Sequence, residues 1–167
     1  MILNDIANLL KNGEKFLVAS HKDPDGDAIG SALALGETLM LDGKEVITFN
    51  AGPIPDSLSH LNGIERVVDT IDQESEFDAL LVLDCGSIER IGEVHSVFSK
   101  IRPLINIDHH RNNSQFGDLN FVDDSVKGRD SMFDKIKQKT IEIMDTVSFV
   151  PEFADTLSFT QPPLKTA

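Results

Sequence analysis

The chain has 167 residues, 40% of them hydrophobic and 26% charged, a composition typical of a folded globular domain. Its 28 acidic residues outnumber the 15 basic ones and give a formal charge of -13, which argues against a protein that grips long duplex nucleic acid through Lys and Arg. No apolar run approaches the roughly 18 residues of a membrane span, and no signal-peptide pattern follows Met1. The one cysteine cannot form an internal disulfide, which fits a reducing compartment. We therefore expect a cytoplasmic protein that does not bind membranes.

Apolar periodicity predicts the elements of an α/β domain. An amphipathic helix is predicted at residues 2–10 and a mostly buried helix at 27–41, with a further helix at 88–98. Short, continuous apolar runs predict buried strands at 15–20, 44–49, 77–83 and 103–107. Because strands and helices alternate and the strands are apolar on both faces, the sequence predicts a parallel sheet flanked by helices.

The character of the sequence changes after Asp124. A helix is predicted at 131–144, and residues 147–167 have no clear period and are expected to be irregular. The sequence therefore predicts an α/β metal-binding domain over residues 1–125 and a divergent helical or irregular tail over 126–167.

Residue types that bind metals follow three of the predicted strands directly. The loop His21–Asp27 follows the first strand, Asp84 follows the third, and Asp108–His110 follows the fourth. Ligands of parallel sheets bind beyond the carboxyl ends of the strands, so we predict that these groups converge at one edge. Carboxylates this close together need protons or cations among them. Oxygen and imidazole ligands without thiolate favour manganese or magnesium over structural zinc.

The first loop has two other interpretations, a solvated turn and a calcium loop. Asp-Pro-Asp-Gly is good turn sequence and is compatible with a solvated turn. A calcium loop starting at Asp23 fails, because Ala28 stands where that loop needs glycine and Ala34 where it needs a bidentate Glu. Taken alone, Asp84 could simply cap a helix, and Cys85 is expected to be a small core residue.

The motifs together resemble those of a known family. Residues 21–31 (HKDPDGDAIGS), 84–86 (DCG) and 108–110 (DHH) are similar to the first three motifs of the DHH phosphoesterases, and the compact spacing is most similar to the nano-RNase and phosphoadenosine-phosphate phosphatase branch. The resemblance implies a manganese-dependent enzyme, with magnesium as the alternative ion, that hydrolyses phosphate esters of short oligonucleotides or small nucleotides with two metal ions.

The resemblance also implies roles for individual residues. His21 and Asp25 would hold one metal ion, Asp27 and His109 the other, and Asp84 would bridge the two. The predicted catalytic residues are Asp84, His109 and His110. Asp23 is expected not to be a ligand, and Asp108 is expected to orient His109.

Three residues are predicted to bind substrate. Ser31 is in the first motif, where the alternative is that it only packs. Arg90 matches a basic position usual in the family, where the alternative is a surface ion pair. Arg111 follows the histidines, a position suited to meet an anion.

Two functions stay open from the sequence. The fourth motif and second domain of the family have no convincing copy here, and Asp155 and Asp123 are the candidates for the absent metal ligand. The chain is thus either an active phosphoesterase or a catalytically impaired, truncated DHH domain that binds metal or nucleotide, and weak turnover or none is expected. An aspartyl-phosphate phosphatase using Asp25 and Asp27 would not explain residues 108–110. Whether the chain forms a homodimer is left open.

Overall fold

The computed structural model describes residues 2–72 and 74–124. In these residues the helices and strands are α1 (Ile2–Asn12), β1 (Lys15–Ser20), α2 (Gly26–Leu41), β2 (Glu45–Phe49), β3 (Val67–Val68), β4 (Ala79–Leu83), α3 (His95–Phe98), β5 (Leu104–Asp108) and β6 (Leu119–Val122). Three short 3-10 helices lie at Asp56–Leu58, Ile64–Arg66 and Ile88–Ile91. The predicted tail at 126–167 lies outside the described residues. None of the described helices combines the length and apolar character needed to cross a membrane.

All six described strands are parallel and form one sheet in the order β3-β2-β1-β4-β5-β6. The predicted α/β fold with a parallel sheet is confirmed. Strand β1 pairs with β2 on one side and with β4 on the other. The strand order therefore reverses between β1 and β4, and this switch point is where open α/β sheets bind their ligands.

The core lies on both faces of the sheet, as expected for strands that are apolar on both faces. All five residues of β4 are buried, and its side chains alternate between the two faces. One face is covered by α1 and α2, which place Ile6, Leu10, Leu35 and Leu39 against it. The other is covered by shorter pieces, which place Ile91 and Phe98 against it. Helices thus flank the sheet, but the two layers are unequal in size.

The predicted continuous helix at 88–98 is wrong. The structure has a 3-10 helix at Ile88–Ile91, then a break at Gly92, and only one turn of α-helix in α3. Gly92 has a φ of 105°, a left-handed conformation that interrupts helical hydrogen bonding and that glycine adopts most readily. Strands β3 and β6 were not predicted, because one has two residues and the other has only half-buried side chains.

Candidate metal centre

His21 begins the loop after β1 and is held in one orientation by its neighbours. Its Nδ1 lies 2.9 Å from the carbonyl oxygen of Lys22. Its own carbonyl oxygen accepts a hydrogen bond from Nδ2 of the buried Asn50 at 2.9 Å. A ring nitrogen that bonds a carbonyl must carry the proton, so Nε2 has the lone pair that a cation needs. This Nε2 lies 3.9 Å from Oδ2 of Asp84.

Asp25 is the N-cap of α2. Its Oδ1 accepts hydrogen bonds from the backbone N–H groups of Asp27 and Ala28, both at 3.0 Å, and thereby satisfies two amides at the helix start. Both cap bonds use the same oxygen, so the cap orients the carboxylate without engaging Oδ2. The spacing Asp-Gly-Asp therefore places one carboxylate as a cap and the next in the first turn of the helix.

Asp84 follows β4 and is only 2% exposed. Its backbone has a φ of 52°, and its N–H donates to the carbonyl oxygen of Ile107 at 3.0 Å. Its Oδ1 is buried and has no hydrogen-bond partner, although His109 Nε2 lies 3.2 Å away. Burial raises the pKa of Asp84, and the nearby charges of Asp25 and Asp27 raise it further. This carboxylate therefore lacks compensation that a cation would supply.

Asp108, the last residue of β5, is also 2% exposed but has full hydrogen bonding. Its Oδ1 accepts from Nδ1 of His110 at 2.7 Å, and its Oδ2 accepts from Nδ2 of Asn113 at 2.6 Å. Burial acts to raise the pKa of Asp108, but these hydrogen bonds outweigh it and leave the pKa below its usual value. The prediction that Asp108 orients His109 is wrong, because the imidazole that bonds the Asp108 carboxylate belongs to His110.

Potential ligand atoms fall into two groups that share one residue. The first consists of His21, Asp25 and Asp84, and the second of Asp84, Asp108, His109 and His110; in each group the ligand atoms lie within 4.8 Å of one another. The predicted ligand Asp27 is in neither group, although its charge acts on Asp84. The donors are imidazole nitrogens and carboxylate oxygens around an uncompensated buried carboxylate, which fits divalent cations such as Mn²⁺ or Mg²⁺.

The three predicted substrate-binding residues occupy different environments. Ser31 is fully buried within α2, and its Oγ has no hydrogen-bond partner among the described residues. Arg90 is exposed. A Cβ placed on Gly86 would lie 4.0 Å from Nη1 of Arg90 and 3.9 Å from Cγ of His110. The side chain of Arg111 is 80% exposed and pairs with Asp124 at 3.4 Å. Arg90 and His110 thus both lie near Gly86.

The two candidates for an additional ligand differ in whether the structure describes them. Asp123 follows β6, and its backbone N–H donates to the carbonyl oxygen of Asp108 at 3.0 Å. Asp155 lies outside the described residues.

Sequence reasoning missed three asparagines around the centre, Asn50, Asn106 and Asn113. Asn50 is 1% exposed and donates to Ser20 Oγ as well as to the His21 carbonyl, and its Oδ1 accepts from Gly52 N–H. Asn106 is fully buried within β5. An amide inside an apolar strand was the available signal, because a buried polar side chain requires partners.

Comparisons with known proteins agree with this geometry. The family model described as "DHH family, N-terminal domain" matches residues 15–157. An oligoribonuclease and PAP phosphatase from Thermus thermophilus is 38% identical over 122 residues, which are 72% of this chain and 36% of that protein. The protein of the same name from Bacillus subtilis is 32% identical over 120 residues and is also covered to 36% of its length. The chain thus spans little more than a third of these relatives.

A solved structure shows the same fold. The crystal structure of an exopolyphosphatase-related protein from Bacteroides fragilis superimposes with a TM-score of 0.74 at 22% identity. The match covers 88% of this chain and 44% of that one.

Proposed function

The chain belongs to the DHH family, and from that premise we propose that it is a metal-dependent phosphoesterase for short oligoribonucleotides or phosphoadenosine phosphate. The observation that carries the proposal is Asp84, a buried carboxylate with an unpartnered oxygen that is shared by both ligand groups. The relatives from Thermus thermophilus and Bacillus subtilis, named as oligoribonucleases and PAP phosphatases, support the substrate class.

The proposed centre holds two divalent cations, with manganese as the expected ion. His21 and Asp25 would bind one, Asp27 and His109 the other, and Asp84 both. When bound, such ions supply positive charge to the phosphate and lower the pKa of a water ligand. The nitrogen and oxygen donors and the absence of thiolate from both ligand groups support manganese or magnesium over zinc.

The protein's own side chains have separate tasks in this proposal. The N-cap bonds of Asp25 and the carbonyl contact of His21 hold these two ligands before any ion binds, which lowers the cost of ordering them. His110 has Nδ1 committed to Asp108, so Nε2 would be left to bind the ion through its lone pair or, in an imidazolium, to donate to the phosphate. Arg90, which like His110 lies near Gly86, would contact a phosphate oxygen.

The charge of the chain supports a small substrate. With a formal charge of -13, the protein has few cations to neutralise a long phosphate backbone. A short oligonucleotide or a nucleotide with one or two phosphates can instead be held by the ions and by single contacts such as Arg90. We accordingly propose small nucleotide substrates in a cytoplasmic setting, with no role for long duplexes.

The test is hydrolysis of a diribonucleotide and of phosphoadenosine phosphate by the chain with manganese, magnesium, zinc or chelator. Turnover that requires manganese and disappears in Asp84→Asn is the expected result. Asp42→Asn is the matched control, because Asp42 is an exposed carboxylate at the far end of α2. Equal turnover in Asp84→Asn and the control would contradict the proposed site.

A binding module without turnover is the second candidate function. It is favoured by Asp27, a predicted ligand of the second ion, which belongs to neither group of potential ligand atoms. Calorimetry with manganese and then with substrate separates the two functions. Binding of both without hydrolysis would establish the module, and no manganese binding at all would remove both.

A further inference from the structure

Two amide side chains beneath the candidate metal centre join the ends of β4 and β5. Asn106 Nδ2 donates to the carbonyl oxygens of Val82 at 3.3 Å and Cys85 at 3.2 Å. Asn106 Oδ1 in turn accepts from Nδ2 of Asn113 at 2.7 Å. Asn106 is fully buried and Asn113 is half-buried. The pair therefore bridges two strands whose ends carry the metal-binding motifs.

Asn113 serves more acceptors than it has hydrogens. Besides Asn106 Oδ1, its Nδ2 lies 2.6 Å from Asp108 Oδ2 and 3.2 Å from the carbonyl oxygen of Cys85. An amide nitrogen has two hydrogens, so three acceptors share two donors. The shortest of these contacts is to the charged carboxylate, as expected for a charge-assisted hydrogen bond.

Two of the three acceptors of Asn113, the Cys85 carbonyl and the Asp108 carboxylate, connect to residues of the centre. The carbonyl of Cys85 belongs to the residue that follows Asp84 in the chain. Asp84 itself has a φ of 52°, which is unusual for a residue other than glycine. The Asp108 carboxylate holds His110 through Nδ1. An interaction that fixes both acceptors fixes the direction of the Asp84 side chain and the ring of His110.

We propose that Asn113 is a positioning residue, which through Asp108 holds His110 as the tautomer protonated at Nδ1 and through Cys85 holds the turn that presents Asp84. Partners that orient ligands in this way commonly change metal affinity 10–100-fold when they are replaced. The relevance of the inference to catalysis rests on the proposed phosphoesterase function. The contacts of Asn113 with Asp108 and with the Cys85 carbonyl do not depend on that function, because they are present in the chain without metal or substrate.

The variant that tests the inference is Asn113→Ser. Asn113 Oδ1 accepts from the backbone N–H of Gln115 at 2.6 Å, and a serine hydroxyl can accept the same bond and keep the turn. Serine is too short to replace the donation to Asp108. The matched control is Asn120→Ser, because Asn120 is the register partner of Asn106 on β6 and its amide bonds only close a turn with Gly117.

Two measurements are made on the full chain. The first is the nitrogen-15 spectrum of the His110 ring in metal-free protein. The second is the affinity for Mn²⁺ by calorimetry. In the unmodified chain and in Asn120→Ser we expect His110 to be protonated at Nδ1. In Asn113→Ser we expect a mixture of tautomers and an affinity weaker by about tenfold or more.

Three results would overturn the proposal. One is an Asn113→Ser spectrum and Mn²⁺ affinity that match those of Asn120→Ser. Another is a His110 ring protonated at Nε2 in the unmodified chain, which needs no variant to measure. The third is loss of folding in Asn113→Ser alone, since a purely structural role would then suffice. An inactive chain with the expected spectra would instead remove the phosphoesterase function and leave Asn113 as a positioning residue.

Discussion

Two aspartates at the ends of β4 and β5 are equally buried but differ in how completely their oxygens are hydrogen-bonded. Asp84 and Asp108 are each 2% exposed. Asp108 accepts hydrogen bonds on both oxygens and has a lowered pKa, whereas Asp84 has an oxygen without a hydrogen bond and a raised pKa. Burial acts on both in the same direction, so the surrounding groups decide the outcome. Hydrogen bonds lower the pKa of Asp108, and the charges of Asp25 and Asp27 raise that of Asp84.

The comparison separates a structural carboxylate from a ligand. A buried carboxylate whose bonds are all supplied by the protein stabilises the fold and has little to offer a cation. One that is buried and left without a donor costs stability until a positive charge arrives. By this criterion Asp84 is the better metal ligand, and Asp108 supports it through His110.

The largest expected effect is on stabilisation by metal. A ligand at a hundredfold excess over its Kd adds about 2.7 kcal/mol to the stability of the state that it binds. Manganese should therefore raise the Tm of the unmodified chain by several degrees, and Asp84→Asn should abolish this increment. Thermal melts with manganese and with chelator measure it, with Asp42→Asn as the control. A full increment in Asp84→Asn would mean that Asp84 does not bind the ion.

The second prediction concerns the stability of the metal-free protein, in which Asp108 rather than Asp84 should have the larger stabilising effect. Asp108→Ala should destabilise the chain by about 1–3 kcal/mol, because it leaves His110 and Asn113 without their acceptor. Asp84→Asn should be neutral or stabilising, because it removes a buried charge. Urea denaturation in chelator compares the free energies of unfolding. A larger loss in Asp84→Asn than in Asp108→Ala would contradict the contrast.

The third prediction concerns pH, again without metal. Asp84 has a raised pKa, so the folded state binds its proton more tightly, and stability should fall as pH rises above the ordinary Asp value of 3.8 through the raised pKa. Asp108 has a lowered pKa, so its contribution is present above 3.8 and lost as pH falls through the lowered pKa.

Urea denaturation from about pH 3 to pH 8 resolves these two effects. Asp84→Asn should lack the decline on the higher-pH side, and Asp108→Asn should lack the loss on the acidic side. Unchanged profiles in both variants would mean that neither carboxylate titrates differently in the folded chain.

The smallest effect is expected at Cys85, the residue after Asp84. Burial raises the pKa of this thiol to about 12, and Sγ donates to the Ser87 carbonyl oxygen at 3.0 Å. Iodoacetamide should therefore leave the native chain unmodified at neutral pH and react after unfolding in urea, as mass spectrometry would show. Rapid labelling of native protein would mean that the β4 end is more open than the structure shows.

The sequence was sufficient for the main strands because buried parallel strands are continuous apolar runs, as in β1, β2, β4 and β5. It failed for β3 and β6, which are too short or too exposed to produce that pattern. The helix predicted at 88–98 failed because the apolar spacing gave no weight to Gly92 and its left-handed backbone.

The convergence of the three motifs was predictable for a similar reason, since each follows a strand of one parallel sheet. The opposite chemistry of Asp84 and Asp108 was not. It depends on donors such as Asn113, whose side chain reaches both Asp108 and the Cys85 carbonyl, 28 positions away. Such contacts are set by side-chain rotamers in the folded core, which local sequence does not determine.

The strand order also determines when the centre can form during synthesis. The hydrogen bond from Lys15 N–H to Asp78 joins residues 63 positions apart, and α1 packs in the same core cluster as Leu119 and Phe121 of β6. Contacts of such long range close late, after most of the chain has left the ribosome. A nascent chain in which residues 108–110 are still inside the ribosome lacks the second group of ligand atoms, so manganese can occupy the complete centre only after β5 has emerged.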